Sequence, residues 1–150
     1  MTAGETDIEE IFGYIFRCEI ENLKSKLDSM GAISASMASE LLLYATQQGD
    51  EGVIIELLRR GADRGSILLG GSSLICYAVA ADMEGLVRYL VSEGVGINSI
   101  DDDGATPLYE AVTSGNYRMA NILMNLGADP NKSSMGIAPA SLMKKMGWKF

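Results

Sequence analysis

Ser99, Asp101, Asp103, Gly104 and Glu110 fall at positions one, three, five, six and twelve of a calcium-binding loop, the spacing at which oxygen donors and a sharp glycine turn enclose a hard cation. Position one, however, favours Asp or Asn over Ser, and Pro107-Leu108 opens a helix inside the segment that ought to wrap the ion. The triplet Asp101-Asp102-Asp103 therefore reads as a solvated turn tip, and no metal is expected.

Other chemistry finds as little footing. The chain has no His, which removes the commonest general base and metal ligand. Cys18 follows Arg17 and Cys76 has no basic neighbour in sequence, and without His or C-x-x-C spacing the two suggest neither a nucleophile nor a disulfide framework. No glycine-rich phosphate loop joins a strand to a helix, and Gly70-Gly71 reads as a turn. Twenty acidic residues against twelve basic ones give −8 at pH 7, which makes chance carboxylate pairs common and disfavours nucleic acid. Arg59, Arg60 and Arg64 sit where a helix ends and answer its dipole, while Lys144, Lys145 and Lys149 read as a solvated face. The opening residues carry no basic, apolar leader, Thr2 excludes a myristoylation site, and no apolar run reaches about 18 residues. The expectation is a protein of an intracellular reducing compartment, cytoplasmic or nuclear, that is not an enzyme, needs no cofactor and binds neither nucleic acid nor membrane.

The elements that position these residues are clearest in the stretch 101–131. The Asp-rich turn closes on Gly104, and Thr106-Pro107 starts a helix with Leu108, Ala111 and Val112 on one face, stopped by Gly115. A second helix carries Met119, Ile122, Leu123 and Leu126 and ends at Gly127. Each helix is shorter than the roughly 12–15 residues that are marginally stable alone in water, so both depend on neighbours.

The neighbours appear when the sequence is shifted against itself by 33 residues. Gly71, Ala78, Leu90, Gly94 and Asn98 then fall under Gly104, Ala111, Leu123, Gly127 and Asn131, and a second shift brings Ala45, Gly49, Leu57, Gly61, Ala62 and Asp63 into step. A fixed period of this length describes a solenoid of stacked helix pairs. Residues 11–32 align at an offset of 30, with Tyr14 over Tyr44 and Gly31-Ala32 over Gly61-Ala62, and read as a degenerate N-terminal cap with Glu5, Asp7, Glu9, Glu10, Glu21, Lys24, Lys26 and Asp28 on its outer side. Residues 136–147 match the first half of a repeat at an offset of 32. The expected organisation is one all-α domain over 1–150: cap repeat 7–33, repeats 34–66, 67–99 and 100–132, and half repeat 133–150. That half repeat is either a natural cap or the front of a longer chain.

Thr106-Pro107-Leu108, with Gly-Ala-Asp at 127–129 and again at 61–63 in one 33-residue register, resembles the ankyrin repeat over nearly the whole chain. Tyr109 replaces the family's His, so the hydrogen bond that residue offers the Thr is missing. Repeat two has Ser73-Leu74-Ile75 in place of Thr-Pro-Leu and Gly96 in place of Asp. The resemblance implies a concave protein-binding face made of turn tips and first helices. Carried over by alignment, that face comprises Ser36, Met37, Ser39, Gln47 and Gln48, then Leu69, Gly70, Ser72, Ala80 and Ala81, then Asp102, Asp103, Ala105, Thr113 and Ser114. Apolar near Leu68 and Leu69 and acidic at Asp102 and Asp103, it suits a partner protein with an apolar anchor beside a basic segment. The run Ile67-Leu68-Leu69 reads equally as a buried, distorted turn. Tyr14, Tyr44 and Tyr77 share one first-helix column, interrupted by Glu110, which reads as packing between repeats rather than as a docking stripe.

The implied function is a non-enzymatic adaptor, scaffold or inhibitor that binds by presenting a preordered surface. Two other readings stand beside it: a regulatory or targeting domain of a longer enzyme or channel, and a host-directed effector of a virus or intracellular bacterium.

Overall fold

In the computed structural model, residues 4–65 and 71–149 are described, and they group into two compact units, Met1–Arg64 and Gly65–Phe150. The first unit holds helices α1 (Glu5–Phe16), α2 (Ile20–Met30), α3 (Ala35–Gln48) and α4 (Glu51–Arg59). Helices α1 and α2 pair, α3 and α4 pair, and the pairs stack with α1 on α3 and α2 on α4. Ile11, Ile15, Leu23, Leu27, Leu41, Leu42, Ile54, Leu57 and Leu58 are almost wholly buried there. Such residues contribute about 1.5–3 kcal/mol each when removed from water, which is what lets helices of this length persist.

The second unit holds α5 (Leu74–Ala80), α6 (Glu84–Ser92), α7 (Pro107–Thr113), α8 (Tyr117–Asn125) and α9 (Pro139–Lys145). Helix α5 pairs with α6 and α7 with α8, while α5, α7 and α9 pack side by side in sequence order. Among the described residues the regular structure is helical apart from single bridge positions, among them the pair Ser134 and Ile137. None of these helices is long and apolar enough to cross a membrane.

Caps follow the periodic sequence. Ser34, Ser73 and Thr106 accept from the backbone N–H groups of Met37, Cys76 and Tyr109, so Ser73 replaces Thr at the start of its repeat without loss of the cap. Between the helices of a pair the chain takes one left-handed residue: Cys18, Gly49, Asp82 and Gly115 have φ of 54°, 75°, 56° and 72°. Glycine occupies such a position without strain, whereas Cys18 and Asp82 do so at a cost.

The helix boundaries correct one expectation. Helix α3 begins at Ala35, whereas α7 begins at Pro107, two periods beyond residue 41, so positions that form a turn before α7 are helical before α4. The reason lies in Ala35-Ser36-Met37-Ala38-Ser39-Glu40, which has neither the glycine nor the proline that breaks Asp101–Pro107 out of helix. Similarly, α1 opens at Glu5, two residues before the expected start of the cap repeat. Lys26 on α2 reaches back to Asp7 and Glu10 of α1 at 2.7 and 2.6 Å, so part of the cap's outer charge ties its own helices together.

Candidate binding surface

In the second unit the turn before α7 is built on Asp101. Its side chain is only 8% exposed, and Oδ1 accepts from the backbone N–H groups of Asp103 and Ala105 at 3.1 and 2.9 Å. That satisfies the inner face of the turn and turns Asp102 and Asp103 out to solvent. A calcium loop would need the Asp101 oxygens for the ion. Here Oδ1 serves the backbone, and no group of ligating side chains fit for a metal occurs among the described residues.

The turn is fastened on both sides. Asp102 N–H donates to Gly71 O at 3.1 Å, which joins it to the turn before α5. On the other side the Ser134 hydroxyl donates to Gly104 O at 2.8 Å and accepts from Thr106 N–H at 2.9 Å. Ser134 is 0% exposed. A serine from the following loop thus holds the Thr106 backbone, while Tyr109 gives only its backbone N–H to the Thr106 hydroxyl. Sequence reasoning missed Ser134, whose Ser133-Ser134 context carries no periodic signal. Asn98 acts similarly between the outer loops: its amide donates to Gly127 O and accepts from Asp129 N–H.

The carried-over face positions divide as follows. In the first unit Ser36, Met37 and Ser39 lie on the opening turns of α3 instead of a loop tip, with Ser39 accepting from Asp63 N–H at 3.2 Å. Gln47, exposed, and Gln48, half-buried, close the same helix. In the second unit Ser72 is half-buried, and Ala80, Ala81, Asp102, Asp103, Thr113 and Ser114 are exposed. Thr113 and Ser114 donate their hydroxyls back to helix carbonyls of Tyr109 and Glu110. Ala105 is only 6% exposed, because its backbone closes the Asp101 turn, so it has little surface to offer. Ile67, Leu68, Leu69 and Gly70 lie outside the described residues.

The tyrosine column is half-buried where described. In the first unit Phe12 and Tyr44 meet edge-to-face at 5.0 Å, and the Arg17 guanidinium stands 5.6 Å from the Tyr14 ring centre. In the second, burial pushes the Tyr77 phenol up from its ordinary pKa. Arg60, at the C-terminal end of α4 where a cation answers the helix dipole, also binds Glu56 of that helix and Asp28 on α2, both at 2.7 Å. A recess lined by Tyr14, Asn22, Ser25, Lys26 and Ser29 offers no open charge, since hydrogen bonds to Asp7 and Glu10 hold Lys26 protonated well above the ordinary lysine range. Cys76 is buried, and desolvation pushes its thiol up to about 12, which makes it a poor nucleophile.

Comparison with known proteins bears on the same periodicity. A family model for ankyrin repeats in three copies matches residues 42–134. The chain is 51% identical over 43 residues to an ankyrin repeat and LEM domain-containing protein 1 homolog of Caenorhabditis elegans, covering 29% of this chain and 6% of the relative. It is 26% identical over 126 residues to an ADP-ribosylation factor GTPase-activating protein of Arabidopsis thaliana, covering 83% and 16%. It is 33% identical over 107 residues to an ankyrin repeat protein of Fowlpox virus, covering 69% and 25%. The chain therefore spans a quarter or less of the length of these relatives. Ankyrin repeats are non-enzymatic modules of protein–protein interaction, and some relatives carry them as parts of larger proteins. With three helix pairs at a 33-residue spacing and a family match over more than half its length, this chain belongs to the ankyrin-repeat family.

Proposed function

We propose that this chain binds a partner protein through its first helices and turn tips, as an adaptor, scaffold or inhibitor, and catalyses no reaction. The observation that carries this reading is the Asp101 turn. Hydrogen bonds to Gly71 on one side and Ser134 on the other hold it, and it presents Asp102 and Asp103 to solvent beside the helix that ends in exposed Thr113 and Ser114. A surface ordered before contact loses little entropy on binding. Its acidity suits a partner with a basic segment next to an apolar residue. The two free thiols fit residence in a reducing compartment, cytoplasm or nucleus.

The test is affinity capture from native lysate with the intact chain, with Asp102→Lys/Asp103→Lys, and with Arg59→Glu on α4 as control. A protein recovered by the intact chain and the control but lost with the double reversal supports the reading. Equal loss with both variants would sink it.

A second reading has its own observation, since the chain spans so small a share of its relatives. In that reading it is the interaction part of a longer protein and directs the remainder, enzyme or otherwise, to a target. Sequencing the full transcript separates the two. The Fowlpox virus relative makes a host-directed role a further proposal, which the source organism would decide.

A further inference from the structure

The second unit has two unlike ends. The turn before α9, a hairpin in which Ser134 and Ile137 exchange backbone hydrogen bonds, is joined to the turn before α7 by the Ser134 hydroxyl on Gly104 O. Helices α7 and α9, which pack together, therefore start from the same end. At a rise of 1.5 Å per residue the last turn of α9 stands about 10 Å further along. That last turn carries Lys144 and Lys145, and Lys149 follows it. The Tyr117 hydroxyl donates to Lys149 O at 2.9 Å, and the rings of Tyr117 and Trp148 meet edge-to-face at 5.3 Å. These contacts hold the residues after α9 at the start of α8, away from the Asp101 turn.

Charge separates along the same line. Arg17, Lys24, Lys26, Arg60, Arg88 and Arg118 each hold a carboxylate, so Asp82 and Glu84 are neutralised by Arg88 and Arg118. Lys144, Lys145 and Lys149 are exposed and make no ion pair among the described residues, and the stretch 130–150 holds no Asp or Glu in a chain of net charge −8. Met146 beside them is 47% exposed. The dipole of α9 accounts for lysines in its last turn, but neither for Lys149 nor for an open Met at the end of a stack, where a polar face is the rule. At the opposite end Asp102 and Asp103 are exposed and likewise make no ion pair among the described residues. Their Oδ2 atoms each lie 3.8 Å from where a Cβ on Gly71 would stand, which gathers the two carboxylates on one side of the turn. Ile100, just before that turn, is 58% exposed. We propose that a second copy of this chain is a partner: Lys144, Lys145, Lys149 and Met146 of one copy dock on Asp102, Asp103 and Ile100 of the next. The inference rests on the protein-binding reading above, and it adds the basic end of α9 as a second surface. Within one copy the two surfaces lie at opposite ends of the unit, so they meet only between copies. The contact is head to tail and leaves one surface free at each end, so association runs past the dimer unless the rotation closes a ring.

The test is sedimentation equilibrium of the intact chain over a range of concentrations, with variants checked for folding by circular dichroism. At low salt the average mass should climb above the 16.0 kDa of one chain and past the dimer, and about 0.5 M salt should reverse the climb. Asp102→Lys/Asp103→Lys and Lys144→Glu/Lys145→Glu should each weaken association about tenfold or more. Mixed in equal amounts, the two variants should associate to within about threefold of the intact chain, because each offers the sign the other needs; misfolded variants would not. Met146→Ser should weaken association about fivefold. A chain that stays monomeric up to about 1 mM, or variants that remain apart when mixed, would overturn the proposal. Association lost with the lysine reversal but kept with the aspartate reversal would put the basic end on another surface and overturn it too. A monomeric chain whose captured protein is still lost with Asp102→Lys/Asp103→Lys would sink self-docking and leave the wider reading standing. A monomeric chain that captures nothing sensitive to that variant would sink both.

Discussion

Replacing Ser134 with Ala removes one hydroxyl and leaves two backbone groups without partners, the N–H of Thr106 and the C=O of Gly104. Ser134 is wholly buried, so no methyl-sized rearrangement at the surface repairs the loss. An unsatisfied buried backbone group costs roughly 1–3 kcal/mol. Water reaching the outer side of the turn would recover part of the Gly104 contribution, and the expected total is about 3 kcal/mol. For a chain of this size that lowers the melting midpoint by roughly 6–10 °C. The loss should be local: hydrogen exchange at the Thr106 amide should accelerate, while amides of α1 to α4 keep their protection. Ser133→Ala, at an exposed neighbour, is the control and should change stability by less than about 0.5 kcal/mol. A Ser134→Ala change equally small, with the Thr106 amide as protected as before, would refute the claim that this serine holds the turn before α7.

Other perturbations test other parts of the account. Gly71→Ala meets both a φ of +85° and an Asp102 Cβ 3.2 Å from the new methyl, whereas Gly127→Ala meets only a φ of +101°. Urea melts should show about 1 kcal/mol lost at Gly127 and measurably more at Gly71. Cys18→Gly, which relieves left-handed strain, should raise stability by about 0.5 kcal/mol. Thiol titration at pH 8 should label Cys18 in the folded protein and Cys76 only after denaturant is added, because Cys76 is buried and its pKa is pushed up to about 12. Asp82, bonded by Asn116 and Arg118, and Glu84, bonded by Arg88 and Arg118, are held below their ordinary pKa. Their contribution is therefore present above about pH 4 and fades as pH falls below it, shallowly because Asp82 is exposed and Glu84 only half-buried. Urea midpoints between pH 6 and 2.5 should fall, and Asp82→Asn should flatten the fall. A steeper fall in the variant would contradict the assignment.

What the sequence disclosed, and what it did not, follows from how each feature is encoded. Gly49 and Gly115, Gly61 and Gly127, and the capping Ser73 and Thr106 recur because every repeat needs the same backbone at the same place, and a fixed shift finds them. The length of α3 escaped that reasoning, since alignment assumed a turn where residues 35–40 lack any breaker. Ser134 escaped for another reason, and the shift that set Asn98 over Asn131 did not show what Asn98 binds: each acts on a neighbouring loop about 30 residues away, and a shift registers likeness between repeats rather than contact. Ala105 was carried to the surface by alignment although Asp101 draws its backbone inward. Exposure of Met135 is a fact of the hairpin alone, because an apolar residue in a short loop reads the same whether it points in or out.

The most direct test of the binding account is hydrogen exchange on the chain alone and in complex with a captured partner. The account predicts new protection at residues 71–73, 101–106 and 134–138 and along α7, with α6 and α8 unchanged. Protection confined to α6 and α8 would place the contact on the second helices and contradict it.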